Sequence, residues 1–126
     1  MKKKVIFTEN APKPIGPYSQ AVQVGDLLFC SGQIPLDPHT GSLVSAHVAD
    51  QAKQVMKNLE AVLTAAGYDW NSVVKTTIFL KSMNDFPQVN EVYSAYFKAN
   101  PPARSTIEVA RLPKDVLVEI EMIASH

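Results

Sequence analysis

Near its C-terminal end the chain carries Val116, Val118, Ile120 and Met122 on one side of an alternating run, and Leu117 and Ile123 on the other. Successive side chains of a strand point to opposite faces, so a strand apolar on both belongs to a sheet that is covered on both. What the rest of the chain can supply as cover then decides the fold.

Two segments have helical periodicity. Val48, Ala52, Val55, Leu59, Val62 and Ala66 recur at steps of three and four, Ala49, Met56 and Leu63 widen the stripe, and Gly67 supplies the stop. A second helix is expected over about 85–98, with Phe86, Val89 or Asn90, Tyr93 and Phe97 inward and Asn100-Pro101-Pro102 ending it.

The remaining runs are strands. They are expected at 4–7, at 21–24 and 27–31 around a Gly25-Asp26 hairpin turn, and at 73–80, where β-branched and aromatic residues crowd together. Pro12, Pro14, Gly16 and Pro17 make the segment after the first strand irregular, and Pro35, Pro38 and Gly41 make a loop before the first helix. The last strands, 103–109 and 116–124, flank Arg111-Leu112-Pro113-Lys114-Asp115, a linker short enough for an antiparallel hairpin. The order is βββαβαββ: an α+β single domain over residues 1–126, with a six-stranded, mostly antiparallel sheet and two helices on one face. The other face is expected to meet a further copy of the chain, because a bare apolar face exceeds what soluble monomers carry.

Charge narrows the function classes. Lysine plus arginine and aspartate plus glutamate number 12 each, so no net field draws in a polyanion and nucleic acid is disfavoured as the main partner. Lys2, Lys3 and Lys4 are not followed by the apolar run of a signal peptide, and no stretch approaches the ~20 apolar residues of a membrane helix. A cytoplasmic location is the expectation, and the single Cys30 fits a reducing compartment.

Several side chains invite a chemical reading. Alternation puts Arg104, Thr106 and Glu108 on one face of their strand and Glu119 and Glu121 on one face of the next, so a hairpin would bring Arg104 and Thr106 within a few positions of Glu119. An arginine fork and a glutamate beside one cleft suit a small carboxylate and a water to be deprotonated; the spacing by itself favours the plainer alternative, a cross-strand ion pair at a sheet edge. Tyr18-Ser19-Gln20 and Ser31-Gly32-Gln33 lie where the chain leaves the sheet, as pocket linings or as ordinary turn chemistry. Cys30 reads as a small buried residue rather than a nucleophile, and Trp70 as core or rim packing rather than a base-stacking platform. His39, His47 and His126 have no metal-ligand spacing, and no glycine-rich phosphate loop or G-x-S-x-G elbow occurs, so neither metal nor cofactor is expected.

Taken together, Gly16-Pro17-Tyr18-Ser19-Gln20-Ala21, Ser31-Gly32-Gln33, and the run from Pro102-Ala103-Arg104-Ser105 through Val109-Ala110-Arg111-Leu112-Pro113-Lys114-Asp115 to Glu119-Ile120-Glu121 resemble the signature segments of the RidA (YjgF) family. The likeness spans nearly the whole chain. It implies a chorismate-mutase-like fold and a homotrimer with clefts at its subunit interfaces. It also implies hydrolysis of reactive 2-imino and enamine acids, such as 2-iminobutanoate and 2-iminopropanoate, to 2-keto acids and ammonia. By that resemblance Arg104 clamps the substrate carboxylate, Glu119 orients the attacking water, and Tyr18, Ser31, Gly32 and Asn90 line the pocket. Thr106 stands where many members have cysteine, which leaves that position a role only through its backbone carbonyl. Two other classes stay open: a non-catalytic regulatory trimer that binds small carboxylates, and an RNA-acting translation inhibitor.

Overall fold

In the computed structural model, which describes residues 2–126, the strands are β1 (Lys3–Ile6), β2 (Ala21–Val24), β3 (Leu27–Gln33), β4 (Val73–Leu80), β5 (Ala103–Glu108) and β6 (Val118–Ser125), and the helices are α1 (Val48–Ala66) and α2 (Phe86–Ser94). The order βββαβαββ and the two helices are those expected. β6, with its apolar residues on both faces, runs inside a six-stranded sheet ordered β1-β2-β3-β6-β4-β5. Every pairing is antiparallel except β4 with β5.

That exception corrects the expected last hairpin. β5 and β6 are not neighbours, because β4 lies between them, parallel to β5 and antiparallel to β6. α2 is the crossover that a parallel pair requires. Linker length could not exclude this arrangement, since stepping over one strand spans only about 10 Å. The chain makes that step held to the end of β4: the Val109 N–H donates to the Leu80 carbonyl at 2.9 Å, and the Lys81 N–H to the Leu117 carbonyl at 3.1 Å.

α1 follows its periodicity from end to end. Val48, Ala52, Val55, Met56, Leu59, Val62 and Leu63 are buried, and Gly67 adopts the left-handed conformation at φ 80° while its N–H closes on the last turn. Two polar residues share that buried stripe. The Asn58 amide donates to the carbonyls of Ile34 and Leu36, and Gln51 donates to Ser45 while accepting the Leu117 N–H. α1 thereby pins the loop that leaves β3 and the segment that enters β6, which lie at the same end of the sheet, and both of these buried amides are paired.

α2 ends four residues before the expected boundary. The N–H groups of Ala95, Tyr96 and Phe97 bond three residues back, to Val92, Tyr93 and Ser94, so the chain tightens out of the α-helix ahead of Pro101-Pro102.

Both helices lie on one face, over a core that includes Leu28, Cys30, Ile78, Leu80, Ile120 and Met122. Among the described residues neither helix covers the opposite face. Val5, Val22, Phe29 and Ile123 stand in register across four neighbouring strands and form an apolar row, with Val5 56% and Phe29 43% exposed.

Candidate active site

Four of the expected residues meet in one cleft. Tyr18, Ser31, Gly32 and Glu119 line a cavity of about 470 Å³ together with Lys13, Pro113 and Lys114. The ladder between β3 and β6 shifts register between Cys30 and Gln33, which takes Ser31 and Gly32 out of the pairing and turns them toward the cleft. Ser31 is spent on the scaffold: its hydroxyl donates to the Ser19 carbonyl at 2.6 Å and its N–H to Gln20 at 2.9 Å. These bonds fix the loop that carries Tyr18, whose own ring is 55% exposed. Gln20, wholly buried, holds the far side of the loop by accepting the Thr8 N–H and donating to the carbonyls of Thr8, Ala11 and Pro12.

Glu119 points outward from β6, half-buried, opposite Phe79 of β4. Its carboxylate lies over Gly32: a Cβ built there would run into Glu119 Oε2 and stand 2.9 Å from Cδ. Glycine at this position therefore makes the space in which the carboxylate sits. Among the described residues Glu119 has no hydrogen-bond or ion-pair partner. Burial, and then the like charge of Glu121, push its pKa above the ordinary carboxylate value.

Another part of the lining is a tight turn, residues 113–115, in which Lys114 and Asp115 both hold positive φ of 55°. A fork from Arg111 to Asp115, at 2.8 and 3.2 Å, clasps this turn and leaves Lys114 at the cleft. Left-handed backbone at two consecutive non-glycine residues is uncommon, and such strain gathers at functional sites.

Arg104 is elsewhere. It projects from the helix-covered face of β5, in register with the buried Thr76 of β4, whereas Glu119 projects from the uncovered face. One chain thus does not bring Arg104 beside Glu119, and neither the expected common cleft nor the alternative ion pair forms within it. The physical reason is the intervening strand β4 together with the parity of side chains on β5 and β6.

Arg104 instead lines a second hollow of about 420 Å³, with Asn90, Tyr93, Ser94, Phe97 and Pro102 among its walls. Its Nη1 donates to Asn90 Oδ1 at 2.7 Å. Thr106, two residues on, shares the face of Arg104, and its Oγ1 is buried with no partner among the described residues. The spacing arguments singled out neither the bracing role of the buried Gln20 amide, nor Lys114, nor the aromatic surroundings of Arg104. A signal for the last was present: Phe86, Asn90 and Tyr93 follow steps of four and three on one helix face.

Cys30 stays out of this chemistry, since burial pushes its thiol up to about 12. Among the described residues no group of three His, Cys, Asp or Glu side chains gathers as a metal site would require, and no helix is long and apolar enough to cross a membrane.

Comparison with known proteins places the whole arrangement in company. A family model described as endoribonuclease L-PSP matches residues 8–126. The chain is 61% identical over 122 residues to the RutC family protein PH0854 of Pyrococcus horikoshii, covering 97% of each. It is 55% identical to a mouse protein named 2-iminobutanoate/2-iminopropanoate deaminase, over 97% of this chain and 90% of the mouse protein. Among solved structures it superposes on Escherichia coli TdcF with bound serine at a TM-score of 0.93, with 47% identity over 98% of each chain.

Proposed function

The chain belongs to the endoribonuclease L-PSP family, the RidA/YjgF group, and from that premise we propose that it hydrolyses 2-imino acids to 2-keto acids and ammonia in clefts completed between copies of the chain. The observation that carries this reading is the division of the site. A guanidinium suited to a carboxylate and a half-buried, unpartnered glutamate lie on opposite faces of one sheet. The glutamate's face also bears the bare apolar row. A second copy seated on that row would bury it and would bring a foreign Arg104 to Glu119. The E. coli relative whose structure holds serine is consistent with a ligand of amino-acid size. We take the assembly to be a homotrimer.

The chemistry asks little of the protein, because a protonated imine is already electrophilic at C2. Arg104 holds the carboxylate through paired N–H bonds, with Tyr18 and Gly32 bounding the pocket. Glu119 takes a proton from a water as its oxygen bonds to C2, the C=N π pair moves to nitrogen, and a tetrahedral carbinolamine results. Glu119 returns the proton to the amine, the C–N bond breaks, and ammonia leaves. Loss of the hydroxyl proton gives the 2-keto acid and restores the balance. The backbone carbonyl of Thr106 helps place the water; Ser31 serves by fixing the Tyr18 loop and Asn90 by contacting Arg104.

The test is coupled. A dehydratase generates 2-iminobutanoate from threonine, the protein is added, and 2-ketobutyrate formation is followed while semicarbazide competes for the imine. Acceleration that vanishes with Arg104→Ala supports the reading. No acceleration over several imino acids would replace it with the regulatory trimer that binds small carboxylates. RNA as substrate accords less well with a net charge of zero, and weak, steeply salt-dependent RNA binding would be its mark.

A further inference from the structure

Resting on the reading of Arg104 as the carboxylate clamp, we infer that Phe86, Asn90 and Tyr93 are positioning residues that hold its guanidinium in one orientation before substrate arrives. Arg104 stands on an exposed edge strand, where a free arginine would sample many rotamers. Here it does not stand free. Its Cζ is 5.2 Å from the centre of the Phe86 ring and 5.1 Å from that of Tyr93, both within reach of cation–π attraction. The 2.7 Å bond to Asn90 Oδ1 has the short length of a charge-assisted bond.

The grip is itself anchored. The Tyr93 hydroxyl and Thr76 Oγ1 lie 2.8 Å apart in the buried interior, and Thr76 is the register partner of Arg104 across β4 and β5. The contacts therefore close a ring: the backbone of Arg104 pairs with β4, Thr76 on β4 holds Tyr93, and Tyr93 faces the guanidinium of Arg104. Such a ring fixes both ends of the arginine side chain to one rigid frame.

The donor count leaves the clamp usable. Of the five guanidinium N–H groups one is spent on Asn90, so four remain, enough for a two-bond fork on a carboxylate. Asn90 consequently acts as a partner of the arginine rather than of the substrate, and Phe86 and Tyr93 acquire a role in binding without touching the ligand. A lysine at position 104 would keep the charge but lose both the ring contacts and the fork.

Two measurements on the full-length protein test this. The first is the affinity for the product 2-ketobutyrate, by titration calorimetry. Phe86→Leu, Tyr93→Leu and Asn90→Ala are each expected to weaken it roughly three- to thirty-fold. Phe86→Tyr, which keeps a ring, should hold near the wild-type value, whereas a merely structural role would not separate ring from non-ring at matched melting temperature. The second is relaxation of the Arg104 Nε–Hε pair by NMR, which reads the side chain without any ligand. A rigid signal in the wild type that loosens in Tyr93→Leu and Phe86→Leu is expected. An Arg104 as mobile in the wild type as a solvent-exposed arginine would overturn the inference, as would unchanged affinity in all three truncations. Wild-type protein without deaminase activity would instead overturn the catalytic reading, and the relaxation data would still decide on positioning.

Discussion

Arg104 and Glu119 face opposite sides of the same sheet, with β4 between their strands. A site that needs both must borrow one of them from another copy. Arg104→Ala and Glu119→Gln should each abolish deaminase activity alone. When the two variants are co-expressed, mixed assemblies should recover up to about a quarter of wild-type activity, the share of interfaces that pair an intact arginine with an intact glutamate in a random mixture. Activity that stays at zero in mixed assemblies of confirmed composition would place both residues of a working site on one chain.

Glu119 also sets a pH dependence whose sign can be worked out. Within one chain burial and the neighbouring Glu121 raise its pKa, whereas the Arg104 guanidinium of a second copy would lower it; as a base it works ionised, so the position of the acid limb of the rate reads which effect wins. Glu121→Gln removes the like charge and should move that limb to lower pH, read from kcat/KM against pH. Where the raising prevails, stability runs the other way. The unfolded chain has the lower pKa and loses this proton first as pH rises, so stability declines between the ordinary and the raised value. Glu119→Gln should flatten the melting curve across that window, and a variant with unchanged pH dependence would show that other groups dominate it.

Gly32→Ala separates positioning of the carboxylate from stability. The added methyl would meet the end of the Glu119 side chain, with Cδ at 2.9 Å and Cγ at 3.1 Å, while Gly32 itself holds no left-handed backbone. Glu119 can swing aside, so the fold should lose no more than about 1 kcal/mol. The displaced carboxylate should still lower kcat about ten- to a hundredfold, since a misplaced base is costly. Kinetics alongside thermal melts check this, and wild-type kcat would mean that Glu119 works from another position.

Much of this was legible in the residues themselves. The stripe from Val48 to Ala66 with Gly67 after it marks α1 to the residue, because a long amphipathic period and a left-handed stop are local properties. Apolar residues on both faces of the last strand, set against only two helices, announce a sheet face that the helices leave uncovered. The neighbour of β5 was not legible, since hairpin and crossover differ in pairing partners distant in sequence rather than in linker length. Tyr18, Ser31, Gly32 and Glu119 do meet, but the separation of Arg104 from them depends on that same non-local choice. The buried amides of Gln20, Gln51 and Asn58 escaped for a related reason: their partners are carbonyls of loops whose paths no periodicity encodes.

Thr106 offers the most direct separation of side chain from backbone. Its Oγ1 is buried and has no hydrogen-bond partner among the described residues, on the face shared with Arg104. A buried hydroxyl left unpaired costs desolvation that an apolar group of the same shape avoids. Thr106→Val keeps the branched shape and the backbone, so it should stabilise the fold by about 1 kcal/mol. If position 106 serves the reaction only through its carbonyl, kcat/KM should remain within about twofold of wild type. Thermal melts and the coupled imine assay read the two effects separately. A stabilised but inactive variant would mean that the hydroxyl turns to the ligand or the water when the site closes, and the orphan donor would then belong to catalysis rather than to packing.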